Sequence, residues 1–228
     1  MHVRAMTVKA VLFDVDFTLA KPGSHLGLDP YQRLGREHGL DAARYPEAWA
    51  AATQSLPRDP ELRHDERLWY ALSERVFRGM GGEEDLARDL ATRLTRLWED
   101  SANFELYDDA LPVMAKLREH RLKLGLVSNT HRDIDDFVTH HCLEVDCALS
   151  SRVHGWIKPH ASIFRAALTL LDVEPAEAAM VGDSVDEDIE GALALGMNAF
   201  LIDRNARHPE TAEALPDLWA LPAALGLE

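Results

Sequence analysis

Two kinds of hydrophobic pattern divide this chain. Lys9 to Phe13 is an almost unbroken apolar run rich in Val and Leu, the pattern of a strand covered on both faces. From about Pro22 to Asn103 no convincing β-run occurs. Helical spacing takes over and predicts helices at Tyr31–His38, Glu47–Gln54, Asp65–Phe77 and Glu83–Glu99. In the last of these, Leu86, Leu90, Leu94, Leu97 and Trp98 recur at helical intervals. Pro57, Pro60 and Gly79-Met80-Gly81-Gly82 mark the breaks. After Asn103 strands and helices alternate. Asp109 reads as the N-cap of a helix with Pro112 in its first turn, running to about His120. Strands follow at Leu122–Ser128, Asp146–Ser150, Ala178–Val181 and Asn198–Ile202. Between them lie helices at Arg132–His140, His160–Leu171 and Asp186–Leu195, the last stopping at Gly196.

Alternation of this kind implies a parallel sheet with helices on both faces, and such sheets bind ligands at the carboxyl ends of their strands. The helical stretch, roughly 80 residues, is far too long for a connecting loop. It is expected to form a small second domain over the end of strand one.

That end carries the most informative residues. Asp14 and Asp16 close the apolar run, and residues i and i+2 of a strand share a side. Carboxylates that close raise each other's cost of ionisation, a cost offset by a divalent cation or a shared proton. The arrangement suggests one carboxylate as nucleophile, one as acid/base and a metal between them, against the plain alternative of solvated loop aspartates. Other strands deliver polar groups to the same edge: Ser128-Asn129-Thr130, Lys158-Pro159 before a helix, and Gly182-Asp183-Ser184 with Asp186 and Asp188 beyond. Acids, a hydroxyl and a lysine suit phosphoryl transfer to a carboxylate. Mg²⁺ is the natural ion for carboxylate and phosphate oxygens.

Composition narrows the partners. A formal charge of -15 argues against nucleic acid and anionic membranes, which need basic surface. It leaves room for a small phosphorylated metabolite, because a metal and one lysine reverse the local field. No apolar run approaches the length of a bilayer span, and Met1 to Met6 lack a signal-peptide core. Two cysteines, Cys142 and Cys147, fit a reduced cytoplasmic setting. Oligomeric state is not legible.

Together, Asp14-Val15-Asp16-Phe17-Thr18-Leu19, Ser128, Lys158 and Gly182-Asp183-Ser184-Val185-Asp186-Glu187-Asp188 resemble the four motifs of the haloacid dehalogenase superfamily, in family order. The resemblance covers the first strand and nearly everything from Asp109 to Arg204. It implies an α/β fold: a Rossmann-like core at 1–21 and 104–228, and an all-helical cap of type 1 at 22–103. It implies a Mg²⁺-dependent phosphatase, with phosphoglycolate phosphatase-like and nucleotidase-like members among those it resembles. Asp14 would attack phosphorus. Asp16 would protonate the leaving oxygen and later activate water. Ser128, with Asn129 beside it and nearby amides, would hold phosphoryl oxygens, and Lys158 would neutralise charge. Asp183 would bind Mg²⁺ with Asp14 and the Asp16 carbonyl, while Asp188 would be a ligand or support one.

Phe17 departs from the family's usual Gly. It implies a backbone that tolerates a side chain or a ring lining the pocket, with a ring packed into the core–cap seam favoured. Dehalogenases of the superfamily lack an aspartate at the position of Asp16, which favours phosphate esters, whose alkoxide needs a proton. Thr18 favours phosphatases over sugar phosphomutases. Phosphomutase, haloacid dehalogenase and a catalytically quiet binding protein remain the alternatives.

Other residues receive plainer readings. His140, His141, Cys142, Cys147 and His154 lack zinc-site spacing. The Gly79–Gly82 run reads as a helix–helix turn, and His131 and His160 as surface or helix-terminus histidines. Asp133, Asp135 and Asp136 suit a first helical turn. Arg33, Arg36, Arg58, Arg63 and Arg67 read as solvated, and Trp49, Trp69 and Phe77 as the core of the cap.

Overall fold

The computed structural model describes residues 8–24, 26, 29–55, 59–208, 211 and 214–227, so Pro57 and Arg58 lie outside the described residues. Strand β1 (Ala10–Phe13) is fully buried and leads to a short strand β2 (Ala20–Pro22). Four helices follow: α1 (Pro30–Glu37), α2 (Tyr45–Gln54), α3 (Glu66–Gly79) and α4 (Glu84–Glu99). The chain returns through β3 (Phe104–Leu106) and continues as α5 (Ala110–Glu119), β4 (Lys123–Ser128), α6 (Ile134–His140), β5 (Cys147–Ser150), α7 (Ser151–His154) and α8 (Ala161–Leu171). The last elements are β6 (Ala178–Gly182), a π-helical turn at Val185–Glu190, α9 (Gly191–Ala194), β7 (Asn198–Leu201) and α10 (Leu221–Ala224).

Five strands form a parallel sheet in the order β5-β4-β1-β6-β7. Its central strand β1 contributes Val11 and Phe13 to one hydrophobic cluster and Ala10 and Leu12 to another, as alternation along a strand requires. The fold is the expected Rossmann-like α/β core with inserted helices. The insert has a cluster of its own, built from residues such as Leu34, Leu72, Val76, Phe77 and Leu90. Local signals explain its elements. Asp29 accepts from the Gln32 amide ahead of Pro30 at the start of α1, and Asp65 caps α3 through the Arg67 amide. Gly81, at φ 99°, closes the α3–α4 turn, so the glycine run is a helix–helix turn.

Backbone pairing ties insert to sheet on two sides. The antiparallel β2–β3 ribbon carries the chain out and back. Its residues lack a strand-like pattern, and the sequence did not reveal it. On the other side, His64 donates its amide to Gly155 and Ile157 donates to Leu62. Near the ribbon, Asp109 occupies the N-cap position of α5 but makes no side-chain capping bond. Its carboxylate instead accepts two bonds from Arg204, at 2.8 and 2.9 Å, and one from the Leu218 amide. A guanidinium fork outcompetes the helix end. The helix expected at Asp186–Leu195 also differs: a π-turn precedes α9. That turn brings Asp188 inward, and a Cβ on Gly182 would lie 2.1 Å from Asp188 Oδ2. Wider turns of this kind recur at functional sites.

Candidate active site

The carboxyl ends of β1, β4 and β6 meet beneath the insert. Asp14 follows β1 and is 7 % exposed, while Ser128 ends β4 at 1 %. Lys158 is buried and donates to Asp14 Oδ1 and Asp188 Oδ1, both at 2.6 Å. The second oxygen of Asp188 accepts from the Ser184 amide at 3.1 Å. Asp183 sits beside them, held by Arg207 at 2.8 Å. Oxygens of Asp14, Asp183 and Asp188 lie within 4.8 Å of one another.

The electrostatics follow. Burial pushes the Asp14 carboxyl well above its ordinary pKa. Lys158 pulls it back, and Asp188 and Asp183 push it further up. Burial raises Asp183 as well, with Arg207 opposing. For Lys158 burial favours the neutral amine, but Asp14 and Asp188 outweigh it and keep the ammonium charged. Three carboxylates against the buried Lys158 ammonium and the Arg207 guanidinium leave surplus negative charge, and a divalent cation with oxygen preference would neutralise it. The residues therefore fit Mg²⁺.

Asn129 is tied down on both sides. Its Oδ1 accepts from the Lys158 amide at 2.7 Å, and its Nδ2 donates to the Lys158 carbonyl and to Glu187. Its side chain therefore positions the lysine. Asp16 meets Arg132 at 2.9 Å. Arg132 is buried, donates to the Trp98 carbonyl at the end of α4, and lies 3.6 Å from the Phe104 ring centre. It thus links Asp16 to the junction between sheet and insert.

A cavity of about 510 Å³ opens between sheet edge and insert. Asp14, Asp16, Ser128, Asn129, Asp183 and Asp188 line its floor. Phe17 lines it too, with 41 % exposure and φ 64°. The backbone there keeps the left-handed conformation that suits glycine, and the ring faces the cavity instead of packing into the seam. Trp69, expected in the core of the insert, is 44 % exposed and faces the cavity; Trp49 packs against the insert's hydrophobic cluster as expected while also lining the cavity, and Phe77 is buried as expected. His131, read as a surface or helix-terminus histidine, lies just ahead of the Asp133 cap of α6, lines the cavity and meets the His64 ring at 4.8 Å. Burial, then His64, pulls His131 down to about 4. His160 caps α8 and Asp133 caps α6, with Asp135 and Asp136 in its first turn. No described arginine of the insert lines the cavity.

Sequence reasoning missed Arg132, Glu187 and Arg207. Glu187 lies inside the fourth motif, where its acid register was visible. Arg132 and Arg207 carry no local signal, because their partners lie 116 and 24 residues away.

Comparison with known proteins agrees with this geometry. A profile of the haloacid dehalogenase-like hydrolases matches residues 8–196. The chain belongs to that family and is a hydrolase of it. It is similar to phosphoserine phosphatase of Thermus thermophilus, at 33% identity over 92% of this chain and 94% of that protein. It is 29% identical to haloacid dehalogenase-like hydrolase domain-containing protein 3 of Bos taurus, covering 96% and 91%. Among solved structures, a HAD phosphatase from Thermococcus onnurineus aligns with a TM-score of 0.62 and 29% identity, covering 97% of this chain and 99% of that one. Among the described residues no helix is long and apolar enough to cross a membrane.

Proposed function

We propose that the protein is a Mg²⁺-dependent phosphatase that hydrolyses a small phosphate monoester through an aspartyl-phosphate on Asp14. The observation that carries this reading is the buried ammonium of Lys158, held 2.6 Å from Asp14 and from Asp188, two carboxylates that line the cavity together with Asp16. Lys158 holds Asp14 in place for in-line attack and offsets charge as phosphorus is approached. Ser128 and the amides of its loop offer donors to the phosphoryl oxygens. Asp14, Asp183 and the Asp16 carbonyl would hold Mg²⁺, with Asp188 beside them, and the ion would supply further charge neutralisation at the phosphate. Asp16 protonates the leaving alkoxide and then takes a proton from water. The helical insert, bounded at 22–103, acts as a cap that covers the site and excludes bulk water. Relatives named as phosphatases support the choice over mutase, dehalogenase and binding protein.

The direct experiment is phosphate release from simple esters with and without Mg²⁺, in the wild type and in Asp183→Asn. Release is expected to require Mg²⁺, and the variant to need at least about tenfold more metal for half-maximal rate. Equal rates in a chelator would refute the metal requirement, and an unchanged metal dependence would remove Asp183 from the ligand set.

Arg132 gives a second expectation. It holds Asp16 without touching the phosphate floor, so Arg132→Met is expected to slow alkyl phosphates by about tenfold or more. The comparison is made on kcat/KM, which ends with formation of the aspartyl-phosphate: for aryl phosphates, whose leaving groups need no acid, it should change little. An equal loss of kcat/KM on both ester classes would deny Arg132 a positioning role toward Asp16.

A further inference from the structure

The cavity has two sides of different chemistry. The floor carries the carboxylates and Ser128, whereas the wall opposite is aromatic: Tyr31 from α1, Tyr45 and Trp49 from α2, Trp69 from α3 and Trp98 from α4. These rings brace one another. Tyr31 stacks on Tyr45 at 5.5 Å and 22°, meets Trp49 nearly edge-on at 5.6 Å, and anchors its hydroxyl on Ser73 at 2.9 Å. Trp69 meets His131 edge-on at 6.5 Å and keeps 44 % of its surface exposed. Rings already fixed around a cavity offer large contact area at little ordering cost. The volume, about 510 Å³, exceeds what a phosphate fills and lies within the ordinary range for small-molecule pockets.

The charges on the lining are one-sided. Asp29 and Glu99 belong to the insert's part of it. None of the insert's described arginines lines the cavity, and three of them are paired elsewhere: Arg33 with Glu37, Arg63 with Glu61 and Arg88 with Glu84. His131 is neutral, because burial lowers its pKa to about 4. Arg207 is the one arginine or lysine among the described lining residues, and it is bound at the floor to Asp183. A second anionic group on the substrate, reaching toward the insert, would approach carboxylates with no cation to receive it, and like charge in a partly dehydrated cavity selects strongly against such a ligand.

Resting on the phosphatase reading above, we propose that the substrate is a monoester of an alcohol bearing a planar aromatic ring system and no second anionic group. The ring, aryl or nucleobase, stacks on the wall that Tyr45, Trp49 and Trp69 provide. Selection is thus made by ring faces and by the exclusion of anions.

The test compares kcat/KM, with Mg²⁺, for benzyl phosphate, a nucleoside 5′-monophosphate, glycerol 3-phosphate and 3-phosphoglycerate. All four leave as alkoxides, so differences report recognition more than leaving-group chemistry. At least one aromatic ester is expected to exceed 3-phosphoglycerate by tenfold or more, and which one does separates aryl from nucleobase. Trp69→Ala is expected to narrow that ratio three- to tenfold. A preference for 3-phosphoglycerate, or a ratio unmoved in Trp69→Ala, overturns the proposal while leaving the phosphatase reading intact. Turnover of none of the esters would instead strike the phosphatase reading. Ring selection is then read by calorimetry on the wild type with Mg²⁺, comparing benzylphosphonate with 3-phosphonopropionate. Tenfold tighter binding of the ring compound supports the proposal, and equal or reversed affinities overturn it.

Discussion

Asp14→Asn is expected to remove turnover by at least about 10⁴-fold, the scale on which loss of a covalent nucleophile is felt, while the protein stays folded. The amide keeps an oxygen that can accept from Lys158, so the contact now at 2.6 Å survives in neutral form. The substitution also takes one negative charge out of a crowded, buried group of three carboxylates. Burial makes that charge costly in the folded protein, and the metal-free variant is therefore expected to melt at or above the wild-type temperature. Kinetics with a generic aryl phosphate and a thermal melt check both halves. Residual activity within tenfold of wild type would remove Asp14 from the nucleophile's role.

Lys158→Met carries the largest expected structural effect. The ammonium is buried between Asp14 and Asp188 and bonds to both. Removing it strands two buried carboxylates, a change that costs about 3–5 kcal/mol when one partner of a buried pair is lost. In a domain of this size that corresponds to a fall in melting temperature of roughly 6–20 °C. Turnover should fall by about 10³-fold or more, because the site also loses the positive charge that offsets the developing transition state. A melting temperature within about 2 °C of wild type would show that the lysine does not hold this cluster together.

The elements legible in the sequence were those whose signal is local. The run Val11-Leu12-Phe13 could only be a strand buried on both faces, and Asp14 and Asp16 at its end announced a site. Lys158 and Asp183 stood out because each lies where a strand or helix start reaches the same sheet edge. The β2–β3 ribbon was invisible: strands of three residues containing Lys21, Pro22 and Glu105 show no alternation. Asp109 had the right position for a cap, but Arg204, 95 residues later, claims its carboxylate. Arg132 looked like any arginine at the start of a helix, although it lies ahead of α6, buried against Phe104, and pairs with Asp16 across 116 residues. Trp69 fitted a helical core by pattern, and only the packing of insert over sheet turned it toward the cavity. Local patterns thus gave the chemistry at the floor, while the wall that faces it depends on tertiary arrangement.

That chemistry can be tested on the covalent step itself. With an aryl phosphate, formation of the aspartyl-phosphate needs no acid, whereas its hydrolysis needs a base to activate water. In Asp16→Asn the second step should therefore lag, and rapid mixing with Mg²⁺ is expected to release a burst of one aryl alcohol per active site. Borohydride trapping should then place the label on the peptide containing Asp14. Phosphate release in step with the alcohol, with no label on Asp14 at any time, would contradict an aspartyl-phosphate mechanism.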